Sequence, residues 1–256
     1  MKLKDRVVFI TGASAGIGAA CARAFAAEGS ALVLAARRLD RLKELAEELN
    51  RAYGTRSHVD ELDVRERAKV EAFVNSIPQE FRNIDILVNN AGLARGFDPI
   101  QSGSIDDWDE MIDTNIKGLL HVTRAVVPGM IERGIGHIIN IGSIAGRQVY
   151  PRGGVYCATK FAVHALTQGM LIDLVDTPVR VSTVDPGLVK TEFAWVRFRN
   201  DDTSARSVYQ GMTPLKAEDI AEAVLFCATR PAHVNIAEML VLPTDQASAY
   251  HVHREG

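Results

Sequence analysis

Cysteine is scarce in this chain: Cys21, Cys157 and Cys227 are the only three in 256 residues. An odd, widely spaced set excludes a disulfide framework and a cysteine-based zinc site, and it suits a reducing compartment, the cytoplasm. Neither sign of charge dominates. The formal net charge of −3 gives no electrostatic footprint for nucleic acid or an anionic membrane. No apolar run approaches the roughly eighteen residues of a membrane span. The opening MKLKDRVVFITG runs straight into a strand pattern, so no signal peptide is expected. His251 and His253 are two potential metal ligands without a third, and no metal site is expected. Repeats, low-complexity tracts and linkers are absent, which predicts a single domain over 1–256.

What is present is an alternation. Short apolar runs at 7–11, 31–36, 58–62, 84–89, 137–141, 180–184 and 238–242 read as strands, several of them apolar almost throughout. Strands of that kind are covered on both faces. Helical patterns lie between them, as at 17–28, 39–52 and 217–227. The alternation predicts an α/β fold: a doubly wound, Rossmann-type parallel sheet of seven strands with helices on both faces. The segment 189–214 breaks any strong period and reads as a mobile insertion over the site. The polar tail QASAYHVHREG is expected to fray. Ser104 followed by Asp107 matches a helix start, and Cys157 is expected to pack rather than react.

After the first strand comes GASAGIG, with Gly12, Gly16 and Gly18 ahead of a helix. A tight turn, close backbone approach and a helix N-terminus are what a pyrophosphate requires. The loop has no lysine for a P-loop, which argues against an NTPase. At the end of the second strand, where an NAD site holds a carboxylate for the ribose 2′-hydroxyl, stand Ala36, Arg37 and Arg38. Guanidinium groups bind a 2′-phosphate in bidentate fashion, so the pair points to NADP. The alternative is that both arginines cap a helix surface with Asp40 and Glu44. Ser14 and Ala15 add no basic residue, and the preference rests on the strand-two pair.

Farther on, Tyr156 and Lys160 stand one helical turn apart in YCATK, downstream of Ser143. A lysine cation about 4 Å from a phenol, at an effective dielectric near 20, favours the phenolate by roughly 4 kcal/mol. That predicts a tyrosine able to work as an acid/base near neutral pH.

Together, TGASAGIG, Asp63 in LDV, NNAG at 89–92, Asn115, Ser143, YCATK and PG at 186–187 resemble the short-chain dehydrogenase/reductase family over the whole chain. The resemblance implies a catalytic tetrad of Asn115, Ser143, Tyr156 and Lys160. Ser143 would polarise the substrate oxygen, Tyr156 would exchange its proton, and Lys160 would lower the tyrosine pKa and hold the ribose. Asn115 would support a water leading to solvent. It also implies that Ser14, Ala15, Gly16, Ile17 and Gly18 cradle the dinucleotide. Asp63 and Val64 would meet the adenine, and Asn89, Ala91 and Gly92 would border the ribose. Pro186, Gly187, Val189 and Thr191 would close on the nicotinamide. Thr11, Asn89 and Asn90 also suit a role as strand-end hydrogen-bond formers.

MIDTNIKGLLHVTRAVVPGM, GHIINIGSIAG, TEFAWVRFRNDD and RPAHVNIAEM are similar to the NADP-dependent 3-hydroxy acid dehydrogenases. That group oxidises the 3-hydroxyl of serine, allo-threonine and related acids and is typically tetrameric and cytoplasmic. The substrate carboxylate would need a cation; Arg147 and Arg197 are the candidates, with Arg152 behind them. A general NADPH-dependent carbonyl reductase is the alternative enzyme. A silent NADP-binding regulator is the alternative of another class.

Overall fold

The computed structural model describes residues 3–255. Its elements alternate in the order β1 (Val7–Thr11), α1 (Gly16–Ala27), β2 (Ala31–Ala36), α2 (Leu39–Tyr53), β3 (Ser57–Glu61), α3 (Arg67–Ser76) and β4 (Ile84–Asn89). There follow α4 (Ile105–Ile112), α5 (Leu119–Arg133), β5 (Gly136–Ile141), α6 (Gly154–Asp173) and β6 (Val179–Pro186). The chain closes with α7 (Phe193–Arg197), α8 (Asp202–Ser207), α9 (Ala217–Ala228) and β7 (Glu238–Val241).

Seven strands form one sheet in the order β3-β2-β1-β4-β5-β6-β7, and all pairs are parallel. The chain winds outward from β1 to one edge, then returns and winds to the other. The reversal leaves a crevice between β1 and β4, at their carboxyl ends, where such sheets bind ligands.

The apolar strands divide their side chains between two cores. Val8, Ile10, Leu32, Leu34, Val88 and Ile139 pack with α1, α2 and α9 on one face. Val7, Phe9, Val33, Leu87, Ile138 and Val181 pack with α3 and α5 on the other. Alternation along a strand sends successive side chains to opposite faces, so covering both faces requires both parities to be apolar. A fully buried Phe9 or Leu34 contributes about 2–3 kcal/mol by burial.

Two segments of weak periodicity make specific contacts. The segment 189–214 carries α7 and α8, with Trp195 Nε1 donating to Asp202 at 3.0 Å between them. Local side-chain bonds supply the order that periodicity did not signal. The tail is also engaged. Gln246 is buried and its Oε1 accepts from Leu188 N at 2.8 Å. Glu255 N donates to Gly211 O at 2.7 Å. Its polar residues pair with backbone groups of the 188–211 region, which water would otherwise satisfy. Gly256 lies outside the described residues.

Candidate active site

The glycine loop begins where β1 ends. Gly12 has φ +66° and Gly16 φ +53°, the left-handed region that glycine enters without penalty. A Cβ on Gly18 would lie 2.5 Å from both Asn90 Nδ2 and Gly12 O. Asn90 Nδ2 donates to Thr11 O at 2.8 Å and Gly12 O at 3.2 Å, so this side chain fixes the turn. Ala15 caps α1 in an extended conformation with no side-chain hydrogen bond. The first backbone N–H groups of α1 are therefore not covered by a side-chain cap, as an anion site needs. A dinucleotide pyrophosphate fits this cradle of missing Cβ atoms and helix N–H groups.

Arg38, just after β2, donates from Nε to Ser14 Oγ at 3.3 Å. Its Nη1 donates to Glu192 Oε2 at 2.7 Å, while Arg37 pairs with Glu110 at 3.6 Å. The partners are thus Glu192 and Glu110, reached across the crevice, and not Asp40 and Glu44 of the adjoining helix. Asp63 is engaged by Arg65, whose Nε lies 3.0 Å from each carboxylate oxygen. Beside it, Val64 O accepts from His121 Nδ1 at 3.0 Å.

Asn89 is buried and donates to Thr123 Oγ1 and Asn140 Oδ1 at 3.0 and 2.9 Å; its own Oδ1 has no partner among the described residues. Gly92 brings the backbone close to Asn115 Oδ1 and Lys160 Nζ, which a Cβ there would meet at 3.3 and 3.7 Å. On the opposite wall, Pro186 ends β6, and a Cβ on Gly187 would lie 2.3 Å from Gln246 Oε1. Val189 pairs with Leu215. Thr191 rests over the glycine loop, with its Cβ 3.3 Å from the position of a Cβ on Gly16.

Asn115 sits in a π-helical turn, Asp113–Gly118, between α4 and α5. Such a widened turn redirects a side chain inward. Its Oδ1 accepts from Leu93 N at 2.9 Å, and its Nδ2 donates to Leu93 O at 2.8 Å and Thr159 Oγ1 at 3.0 Å. Thr159 in turn donates to Tyr156 O at 2.7 Å.

Ser143 follows β5 and its Oγ accepts from Ala145 N at 3.0 Å. It stands beside the Tyr156 phenol. Burial pushes that phenol well above the usual tyrosine value and the neighbouring Tyr150 adds to the rise, while Ser143 and Arg197 pull it down. Burial brings Lys160 down to about 8, opposed by Asp185, and its Nζ donates to Ile141 O at 2.9 Å. The expectation of a phenol lowered to neutrality by the lysine is therefore not met. Spacing predicted a shared face, but desolvation of a fully buried ring outweighs the neighbouring charges.

Above Tyr156 lies a cavity of about 250 Å³ lined by residues including Trp108, Tyr150, Arg152, Tyr156 and Arg197. Arg152 holds φ +62°. Arg197 Cζ stands 5.8 Å from the Tyr156 ring and 4.8 Å from the Phe97 ring. Its Nη1 donates to Tyr150 Oη at 2.8 Å and its Nε to Gly96 O at 2.9 Å. Nη2 makes no hydrogen bond among the described residues. Arg147 turns elsewhere: its Nε and Nη2 donate to Asp185 Oδ2 at 2.9 and 2.7 Å, and Nη2 reaches Glu238 at 2.6 Å. Buried carboxylates recruit the nearest guanidinium, and Arg147 is taken by Asp185 on the far side of the Ser143 strand. Tyr150 stands in no motif, and Glu192, although within TEFAWVRFRNDD, was not singled out because its partners Arg38 and Arg41 lie about 150 residues away in sequence.

Residues 6–202 match the short chain dehydrogenase family. An NADP-dependent 3-hydroxy acid dehydrogenase of Escherichia coli (strain K12) is 48% identical over 251 residues, covering 97% of this chain and 100% of that protein. A sulfoacetaldehyde reductase of Chromohalobacter salexigens is 47% identical, with 97% and 99% covered. Among solved structures, the closed form of a serine dehydrogenase complexed with NADP+ superposes with a TM-score of 0.92 at 48% identity, covering 97% of this chain and 100% of that one. With a parallel sheet, a glycine cradle and Ser143, Tyr156 and Lys160 gathered at one crevice, the chain belongs to the short-chain dehydrogenase family.

Proposed function

We propose that this protein is an NADP-dependent oxidoreductase that interconverts a short 3-hydroxy acid, such as serine or allo-threonine, and its 3-oxo acid or semialdehyde. The observation that carries this reading is Tyr156, buried beside Ser143, in the lining of a cavity that also holds Arg197. The close relatives named for NADP and 3-hydroxy acids support it.

When bound, the nicotinamide supplies the hydride acceptor or donor. The chain's own residues handle the oxygen, the proton and the charge. Ser143 holds the substrate oxygen by hydrogen bonding and polarises it. Tyr156 takes the hydroxyl proton at Oη during oxidation and returns it during reduction. Lys160, held by Ile141 O, places a cation behind the site and would hold the ribose of the dinucleotide. Asn115 keeps Leu93 and Thr159 in place around that lysine. Arg197, with Nη2 open, takes the carboxylate. Arg38 with Arg37 selects NADP over NAD.

Exposed Leu120 and Ile131 on α5, and Phe161 and Ile172 on α6, support assembly of four copies through these helices; light scattering measures it. Three free, buried thiols are compatible with a reducing cytoplasm.

The test is a panel of hydroxy acids with NADP+ and NAD+, followed by absorbance of the reduced nicotinamide. L-serine or a related 3-hydroxy acid with NADP+ is expected to lead. Tyr156→Phe is expected to lower kcat by about 10²–10⁴; undiminished turnover in that variant would remove the mechanism.

A further inference from the structure

One acid occupies the place where the NADP reading puts a phosphate. Glu192 caps α7 and extends both carboxylate oxygens to two guanidinium groups on the other side of the crevice. Oε2 accepts from Arg38 Nη1 at 2.7 Å, and Oε1 accepts from Arg41 Nη1 at 2.6 Å. Arg38 also touches the glycine loop through Ser14, and Thr191, the neighbour of Glu192, lies against Gly16. Glu192 thus comes from the substrate-side segment and ends beside the phosphate cradle.

We propose that Glu192 is an internal stand-in for the 2′-phosphate of NADP at Arg38, displaced onto Arg41 when the phosphate arrives. The proposal rests on the NADP reading. A carboxylate and a phosphate oxygen use the same guanidinium edge in the same geometry, so they compete for it. Although partial burial raises the Glu192 carboxyl pKa, Arg38 and Arg41 together hold it below its usual value, so the group is an anion at neutral pH. Arg41 gives the displaced carboxylate somewhere to go, which keeps a charge already near the phosphate neutralised. NAD lacks the phosphate and leaves the Arg38–Glu192 pair in place.

The exchange also links the two ends of the crevice. Glu192 precedes Phe193, whose ring stands edge-on to Tyr156 with centroids 5.6 Å apart, and the same short helix ends at Arg197. Arrival of a phosphate at Arg38 therefore resets the anchor of the helix that carries the carboxylate-binding arginine. The cofactor's phosphate is felt where the substrate sits.

Titration of NADP+, NAD+ and adenosine 2′,5′-bisphosphate into the full-length wild type, Glu192→Gln, Arg41→Met and the double variant tests this. The bisphosphate isolates the 2′-phosphate from the nicotinamide end. Glu192→Gln is expected to tighten NADP+ and the bisphosphate about five-fold, the scale of an exposed ion pair, and to leave NAD+ unchanged. Arg41→Met is expected to weaken NADP+ when Glu192 is present and to have no effect in the Glu192→Gln background. Unchanged or weaker NADP+ binding in Glu192→Gln overturns the proposal. So does an equal effect of Arg41→Met in both backgrounds, which makes Arg41 a direct phosphate ligand. A wild type that binds NADP+ no more tightly than NAD+ overturns the NADP reading itself, and the proposal with it.

Discussion

Arg147, beyond β5, and Asp185 of β6 form a two-bond pair: Nε and Nη2 both reach Oδ2, at 2.9 and 2.7 Å. Asp185 is buried, accepts Thr183 Oγ1 at 2.7 Å, and acts on Lys160 through space. Removing the guanidinium leaves a buried carboxylate uncompensated. Arg147→Met is expected to destabilise the protein by about 3–5 kcal/mol in urea unfolding. Arg147→Met with Asp185→Asn should recover part of that loss, because the orphan charge is gone.

Arg197 behaves differently because one of its amino groups is open. Arg197→Ala is expected to lower kcat/KM for L-serine about ten- to a hundred-fold, the scale of a charge-assisted hydrogen bond. L-serine methyl ester, which has no carboxylate, should lose little. Equal losses for acid and ester would assign Arg197 to packing against Phe97 and Tyr150.

His137 makes stability pH-dependent. It is buried, bonds Ser182 Oγ through Nε2 at 2.8 Å, and its Nδ1 has no partner among the described residues. Burial, with Arg180 nearby, lowers its pKa from 6.5 to about 3. The unfolded chain then binds a proton that the folded one does not, and stability falls as pH drops from about 6.5 toward 3. Wild type is expected to lose about 2 kcal/mol between pH 7 and 5 from this group. His137→Gln should flatten that part of the profile, read from urea midpoints.

Gly18 has no room for a methyl group, since a Cβ would press on Asn90 Nδ2 and Gly12 O at 2.5 Å. Gly18→Ala is expected to displace the Asn90 bonds, destabilise by about 1–3 kcal/mol and weaken dinucleotide binding at least ten-fold. Thermal unfolding and cofactor fluorescence titration measure the two effects separately.

Most of the fold was legible because its signals are local. Strand and helix bounds inferred from apolar runs agree with β1, β2 and β4 at both ends, since strands covered on both faces cannot hide their composition. Ser104 accepts from Asp107 N, as the helix-start pattern predicted. Helices α7 and α8 were not legible, because they are short and stabilised by side-chain bonds such as Trp195–Asp202. The packed tail was missed for a related reason: its partners lie at 188 and 208–211, far away in sequence.

Sequence alone determined the α/β class, the strand–loop–helix cradle and the companionship of Ser143, Tyr156 and Lys160, because each is written in periodicity or motif spacing. Tertiary structure decided that Arg197 lines the cavity beside Tyr156 and that Arg147 is tied to buried Asp185 instead. It also decided that burial raises the Tyr156 phenol against the pull of Ser143 and Arg197, and that Glu192 meets Arg38 across the crevice. Those outcomes depend on desolvation and on charges brought together from distant segments, and neither is encoded in the spacing along one strand of sequence.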